Sequence, residues 1–115
     1  MKPGAALLGA ALVIAACSAA PGYMQRHDRN TWFTVRPGTE GFGLAVRYAR
    51  YWFVAEDAAV AFACTQAAFR VAEAYARRQG RAIVPVATQD VRLQVARDSV
   101  SGVTTCDADV PVRWR

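Results

Sequence analysis

Histidine is almost missing from this chain: His27 is the only one. That removes the usual base from any Ser-His-Asp or Cys-His arrangement. The residue lies in a polar N-terminal stretch, SAAPGYMQRHDRN (18–30), where a side chain is expected to be solvated and too loosely held for catalysis. The three cysteines, Cys17, Cys64 and Cys106, stand far apart and lack the ligand spacing of a zinc site. Gly38, Gly41 and Gly43 have no following Lys-Ser/Thr and feed a strand, so they make no phosphate loop. Paired carboxylates are equally scarce. Glu56 and Asp57 are adjacent, do not share a helix face, and suit the start of a helix. Asp107 and Asp109 would point the same way on a strand. They would offer two oxygens to a hard cation, or an acid pair to a hydrolase, but no third acid stands nearby. No catalytic residue, metal or cofactor is therefore expected. Long apolar runs are lacking too. The longest, Ala5 to Ala16, has about a dozen residues where a spanning helix needs roughly 20.

That short run has the form of an export signal: Lys2 in front, an apolar core, small residues behind. It ends in Ile14-Ala15-Ala16-Cys17. This ending resembles the lipobox of bacterial lipoproteins, a branched aliphatic residue and two small residues before a cysteine. The resemblance implies cleavage before Cys17 and acyl chains on its thiol and new amino terminus. It also implies a periplasm-facing protein held to a membrane by lipid alone. Ser18 resembles the outer-membrane class of Gram-negative cells. The resemblance covers about the first 20 residues and leaves the rest of the chain unassigned. Ser18-Ala19-Ala20 would also serve as an ordinary cleavage site, which would discard Cys17 with the leader.

If Cys17 is consumed by lipid, Cys64 and Cys106 remain as an even pair in an oxidising compartment, which favours a bridge between them. The alternative is two buried thiols that never meet. The expected plan is a signal peptide over 1–16, a lipidated N-terminus and flexible tether over 17–30, and one domain over 31–115. Once Lys2 is lost, 13 arginines face 9 acidic residues. Such a surplus suits anionic headgroups, lipopolysaccharide or acidic polymers. An Arg-for-Lys, Ala-rich composition is also what a GC-rich genome produces, and nucleic acid is not the expected partner.

Along the domain, TWFTVR (31–36) and LAVRYARYWFV (44–54) read as strands of a hairpin, joined by a loop through Pro37-Gly38. Glu56 to Gln79 reads as a helix, with acids at its start, Arg77 and Arg78 at its end, and Gly80 beyond. Helical spacing puts Val60, Cys64, Ala67, Ala68, Val71 and Tyr75 on one stripe and Gln66, Arg70, Glu73 and Arg77 opposite. Phe62 and Phe69 lie between these faces, placed to cover a sheet edge. AIVPVAT (82–88) carries Pro85 and reads as an edge strand or extended connector. DVRLQVAR (90–97) alternates as a strand, and a final strand, Val103 to Trp114, is expected to break at Asp107-Ala108-Asp109. The order β-β-α-(β)-β-β predicts an α+β fold, one helix on one face of a small antiparallel sheet. Cys64 and Cys106 would then staple helix to sheet.

Arg47 and Arg50, interleaved with Tyr48, Tyr51 and Trp52, form the candidate ligand-binding surface, since arginines among aromatics can stack on sugars or bases. The alternative is that these aromatics are core. The function expected is a membrane-anchored envelope lipoprotein acting as a non-catalytic binding or structural component of an envelope assembly, with an envelope protein as partner. The other reading is a module that binds an anionic polymer or lipid headgroup through the Arg/aromatic surface.

Overall fold

The computed structural model describes residues 22–51 and 57–115, except the side chain of Tyr51. Cys17 with its lipobox, Trp52 and Glu56 lie outside the described residues. Five strands form one antiparallel sheet: β1 (Gln25–Asp28), β2 (Thr31–Pro37), β3 (Gly41–Tyr51), β4 (Arg92–Arg97) and β5 (Val103–Arg113). Their order across the sheet is β1-β2-β3-β5-β4. Among the described residues one long helix, α1 (Asp57–Gln79), packs on one face. The fold is the expected α+β arrangement of one helix on a small antiparallel sheet.

The apolar alternation of β3 and β5 decides which face is covered. Phe42, Leu44, Val46 and Tyr48 point to α1, as do Cys106, Ala108, Val110 and Val112 of the neighbouring strand. The helix meets them with Val60, Cys64, Ala67, Ala68 and Val71, all buried. Small alanines let the helix lie close to the sheet, and the fully buried bulk comes from Leu44, Val46, Val60 and Val71. Cys64 and Cys106 form a disulfide through the centre of this layer, with a Cα–Cα distance of 6.1 Å. Both are buried. Of the residues that helical spacing leaves between the faces, Phe62 is exposed and Phe69 half-buried.

Local signals end the elements. Gly80 has φ +68°. Its N–H donates to Arg77 O at 3.1 Å while the Arg81 N–H donates to Ala76 O at 3.1 Å. This pair of bonds caps the free carbonyls of α1, and the left-handed residue is the one a glycine takes at little cost. Gly41 matters for space: a Cβ there would collide with the Val112 carbonyl across the β3–β5 ladder. In the β4–β5 turn, Val100 and Ser101 N–H groups donate to Asp98 Oδ1 at 2.9 and 3.4 Å. The Val100 bond is the largest of the contacts that hold the Asp98 carboxyl below its ordinary range. A depressed carboxyl contributes stability that is present above its unfolded value of 3.8 and is lost as pH falls through its folded value. The turn should therefore loosen only in acid, and Asp98→Asn should leave stability at pH 7 reduced but flatten its dependence on pH below about 4. Thermal melts across pH 2.5–7 check this.

Two expectations need correction. The ordered unit begins before Thr31: residues 25–28 of the expected tether form β1, paired to β2 with a bulge between Arg26 and Asp28. The reason is the turn that follows, where the Asn30 N–H donates to Asp28 Oδ1 at 2.9 Å and folds the chain back on itself. His27 is accordingly not a solvated tether residue; its ring meets Phe33 edge-on, with centroids 6.4 Å apart. The final strand does not break at Asp107-Ala108-Asp109. It runs on because both aspartates face away from α1 beside arginines, while Ala108 stays buried. Of the two readings of residues 82–88 the extended connector holds: Ile83 makes one isolated bridge to Trp114, and Pro85 lies just beyond it.

Candidate functional site: the open face of the sheet

Among the described residues a helix covers one face of the sheet and the other face is left over. On that face β1 and β2 present Arg26, Trp32, Thr34 and Arg36. By register, β3 adds Gly43, Ala45 and Arg47, β5 adds Asp107, Asp109, Pro111 and Arg113, and β4 adds Arg92 and Gln94. Five arginines thus stand against two aspartates. The centre is lined by small residues, so the guanidinium groups lie across a shallow floor.

The charges are not equivalent. Arg47 and Asp107 sit opposite each other on β3 and β5. Arg47 Nε and Nη2 donate to the two carboxylate oxygens at 2.7 and 3.0 Å, a bidentate pair. The side chains are 29% and 44% exposed, so the pair is partly shielded from water. The hydrogen bond to Asp107 is the main reason the Arg47 pKa lies above its ordinary value. Arg47 is therefore a structural tie between strands more than a free cation. Arg47→Gln should cost about 1 kcal/mol, the usual size for one partly exposed bidentate pair, and urea unfolding would measure it.

Arg36 is different. Its guanidinium crosses Gly43, where an added Cβ would come within 3.2 Å of Nη2, and it approaches Asp109 at 3.7 Å. Both side chains are more than 60% exposed, so water screens this pair and Arg36 can turn to another anion. Arg92 is exposed and has no ion pair among the described residues. Arg36, Gly43, Asp90, Arg92, Asp109 and Pro111 line a shallow groove of about 520 Å³. At the other side Arg26 lies over the Trp32 ring, 5.2 Å from its centroid. This is a cation–π contact that fixes an aromatic plate beside the arginines.

The strand pleat divides the sequence-derived surface of Arg47, Arg50, Tyr48, Tyr51 and Trp52. Tyr48 points into the core and is only 9% exposed. Arg50 shares the parity of Tyr48, opposite buried Thr104, and so leaves the open face. Only Arg47 is on that face, and it is paired. The side chains of Tyr51 and Trp52 lie outside the described residues. The residues that linear reading missed are Arg26, Trp32, Arg36 and Arg92. The signal for two of them was present as alternation: Trp32 and Arg36, with Thr34 between, interleave with Phe33 and Val35, which is a half-exposed strand.

Asp107 and Asp109 do share a face, as i and i+2 on a strand must, but each has an arginine beside it. Among the described residues no three His, Cys, Asp or Glu side chains gather as a metal site. Comparison with protein-family models, curated proteins and solved structures gave no match, so the reading of this face rests on its own geometry.

Proposed function

We propose that this protein is a non-catalytic binding module of the cell envelope, anchored by lipid at Cys17, which holds an anionic polymer against the open face of its sheet. One observation carries the reading: a sheet face that no described helix covers, with five arginines against Asp107 and Asp109, and an exposed groove between Arg36 and Arg92 with Asp90 at its rim. A repeating anion would bridge Arg26, Arg36 and Arg92 while a ring of the same polymer rests beside Trp32. Several weak contacts along one strand of polymer suit a flat surface, which has no enclosed cavity to grip a small molecule. The envelope address is supported by the Ile14-Ala15-Ala16-Cys17 ending and by a disulfide that needs an oxidising compartment.

Heparin serves as the test polymer. Wild-type protein should bind it with an affinity that falls steeply between 50 and 300 mM salt, as screening of exposed charge requires. The variant Arg26→Gln/Arg36→Gln/Arg92→Gln should bind at least tenfold more weakly at about 50 mM salt. Its melting temperature should shift little, because exposed arginines contribute little to stability. Absence of salt-sensitive binding by the wild type would sink the reading. A second reading, docking within an envelope assembly, draws on the exposed apolar side chains Phe62 of α1 and Leu93 of edge strand β4. It would be favoured instead by a partner protein whose capture survives high salt and is lost in Phe62→Ser/Leu93→Ser.

A further inference from the structure

We infer that the end of the domain where α1 and β5 finish is a second binding surface, and that its ligand is the anionic phospholipid headgroups of the bilayer that carries the protein. This rests on the lipid anchor at Cys17 proposed above. Three chain segments close together there. Arg78 leaves the last turn of α1 with its guanidinium over the Phe33 ring, 5.6 Å from the centroid. Arg81 follows the cap and stacks on Trp114 at 4.4 Å. The Arg115 N–H donates to Ala82 O at 3.0 Å, which ties the end of the sheet to the end of the helix. Arg113 flanks Trp114 on the open-face side. None of these four arginines has an ion pair among the described residues. Arg77 is close by and partnered by Glu73 at 4.0 Å. Glu40, whose carbonyl accepts from the Trp114 N–H, is a further acid at this end, and Asp90 stands on its open-face side beside Arg92 and Pro111.

At the opposite end the described residues mix acids with arginines, Arg26 among them. There the Asp28 turn, the Asp57 start of α1 and the Asp98 turn meet Arg29, Arg50 and Arg97, and Arg97 pairs with Asp57 at 3.2 Å. Among the described residues the first end is thus the more basic of the two. The charge cluster is also stiff, because its aromatic base is packed: Trp114 lies 5.0 Å from Phe42 and 6.5 Å from Tyr75, centroid to centroid. Arginines resting on tryptophan at a fixed edge match the headgroup layer, which is negative outside and accepts amphipathic rings.

Connectivity points the same end at the bilayer. Gln25 pairs with Phe33 and Asp28 with Thr31, so β1 runs away from the basic end and the chain reaches it from that end. Gly22, the first described residue, is five positions after Cys17, a reach of at most about 18 Å. An acylated Cys17 would therefore keep the basic end within a short distance of the phosphates. Acyl chains and a basic patch act together in such anchoring. Arg78, Arg81 and Arg115 lie outside the polymer face, so the two surfaces can be varied separately.

The test is hydrogen exchange of the acylated full-length protein reconstituted in vesicles of phosphatidylcholine alone or with 30% phosphatidylglycerol. Amides of residues 80–82 and 112–115 should gain protection with phosphatidylglycerol, and those of 98–102 should not. The gain should vanish in 0.5 M salt. Arg78→Gln/Arg81→Gln/Arg115→Gln should lose it while still floating with the vesicles. Fivefold per arginine gives a loss of roughly 100-fold in headgroup affinity for this variant. Equal protection in both lipids, protection centred on 98–102, or an unaffected variant would overturn the proposal. If the wild type fails to float with either vesicle, the anchor is wrong. The same exchange measured on that protein mixed with phosphatidylglycerol vesicles at low salt then decides the surface by itself: protection of 80–82 and 112–115 upholds it, and none overturns it.

Discussion

Replacing Cys64 and Cys106 together with alanine should lower the melting temperature by about 15–30 °C. The bridge joins residues 42 positions apart, and closing a loop of that length removes unfolded-chain entropy worth roughly 4 kcal/mol. For a domain of this size about 1 kcal/mol corresponds to 4–8 °C. The location raises the cost. Both sulfurs are buried, between a helix rich in alanine and a sheet whose fully buried large side chains are few, so loss of the bridge also removes packing from the middle of the core. Double serine replacement should be worse than double alanine, since it would put hydroxyls into an apolar layer. Circular-dichroism melts of wild type, wild type under reductant, and both variants make the comparison. A shift under about 5 °C in every case would mean that the two layers hold without the staple.

Cys17→Ser should abolish acylation and release the protein from the membrane fraction. Each buried methylene of an acyl chain contributes about 0.8 kcal/mol, and stable anchoring needs more than one chain. Among the described residues no helix is long and apolar enough to cross a membrane. Labelling cells with an alkyne fatty acid, followed by fractionation, should show wild-type label in the membrane and none on the variant. The unlipidated variant should retain its leader or appear in the soluble fraction. Label that persists in Cys17→Ser would place acylation elsewhere and remove the anchor from the account.

The fold was legible where one side-chain period dominates. Val60, Cys64, Ala67, Ala68 and Val71 mark the buried stripe of α1 by spacing alone, and Gly80 marks its end. Leu44, Val46 and Tyr48 likewise mark the covered face of β3. Legibility failed where tertiary partners outweigh local preference. Asp107-Ala108-Asp109 has the composition of a turn, yet it continues β5 because Arg47 on the adjacent β3 and Arg36 on β2, one strand further, face the two carboxylates. Residues 25–28 have the polarity of a tether. They become a strand because the Asp28–Asn30 turn brings them against β2, a partner that local composition does not reveal. The candidate site failed for a related reason. Arg47, Tyr48 and Arg50 are neighbours in sequence, but a strand sends alternate side chains to opposite faces. The arginines that do share a face come one from each of the five strands, and only the order β1-β2-β3-β5-β4 brings them together.

The most direct test is to map where a polyanion touches the protein. Backbone amide resonances of the uniformly ¹⁵N-labelled protein should be followed while a short heparin oligosaccharide is added at low salt. The account predicts shifts that begin with Thr34, Arg36, Gly43, Ala45, Arg92 and Asp109, extend to the Trp32 indole N–H, and reverse on adding salt. Residues on the exposed side of α1, such as Gln66, Arg70 and Glu73, should stay fixed. Shifts confined to α1, or none at any ratio of oligosaccharide to protein, would contradict a binding role for the open face.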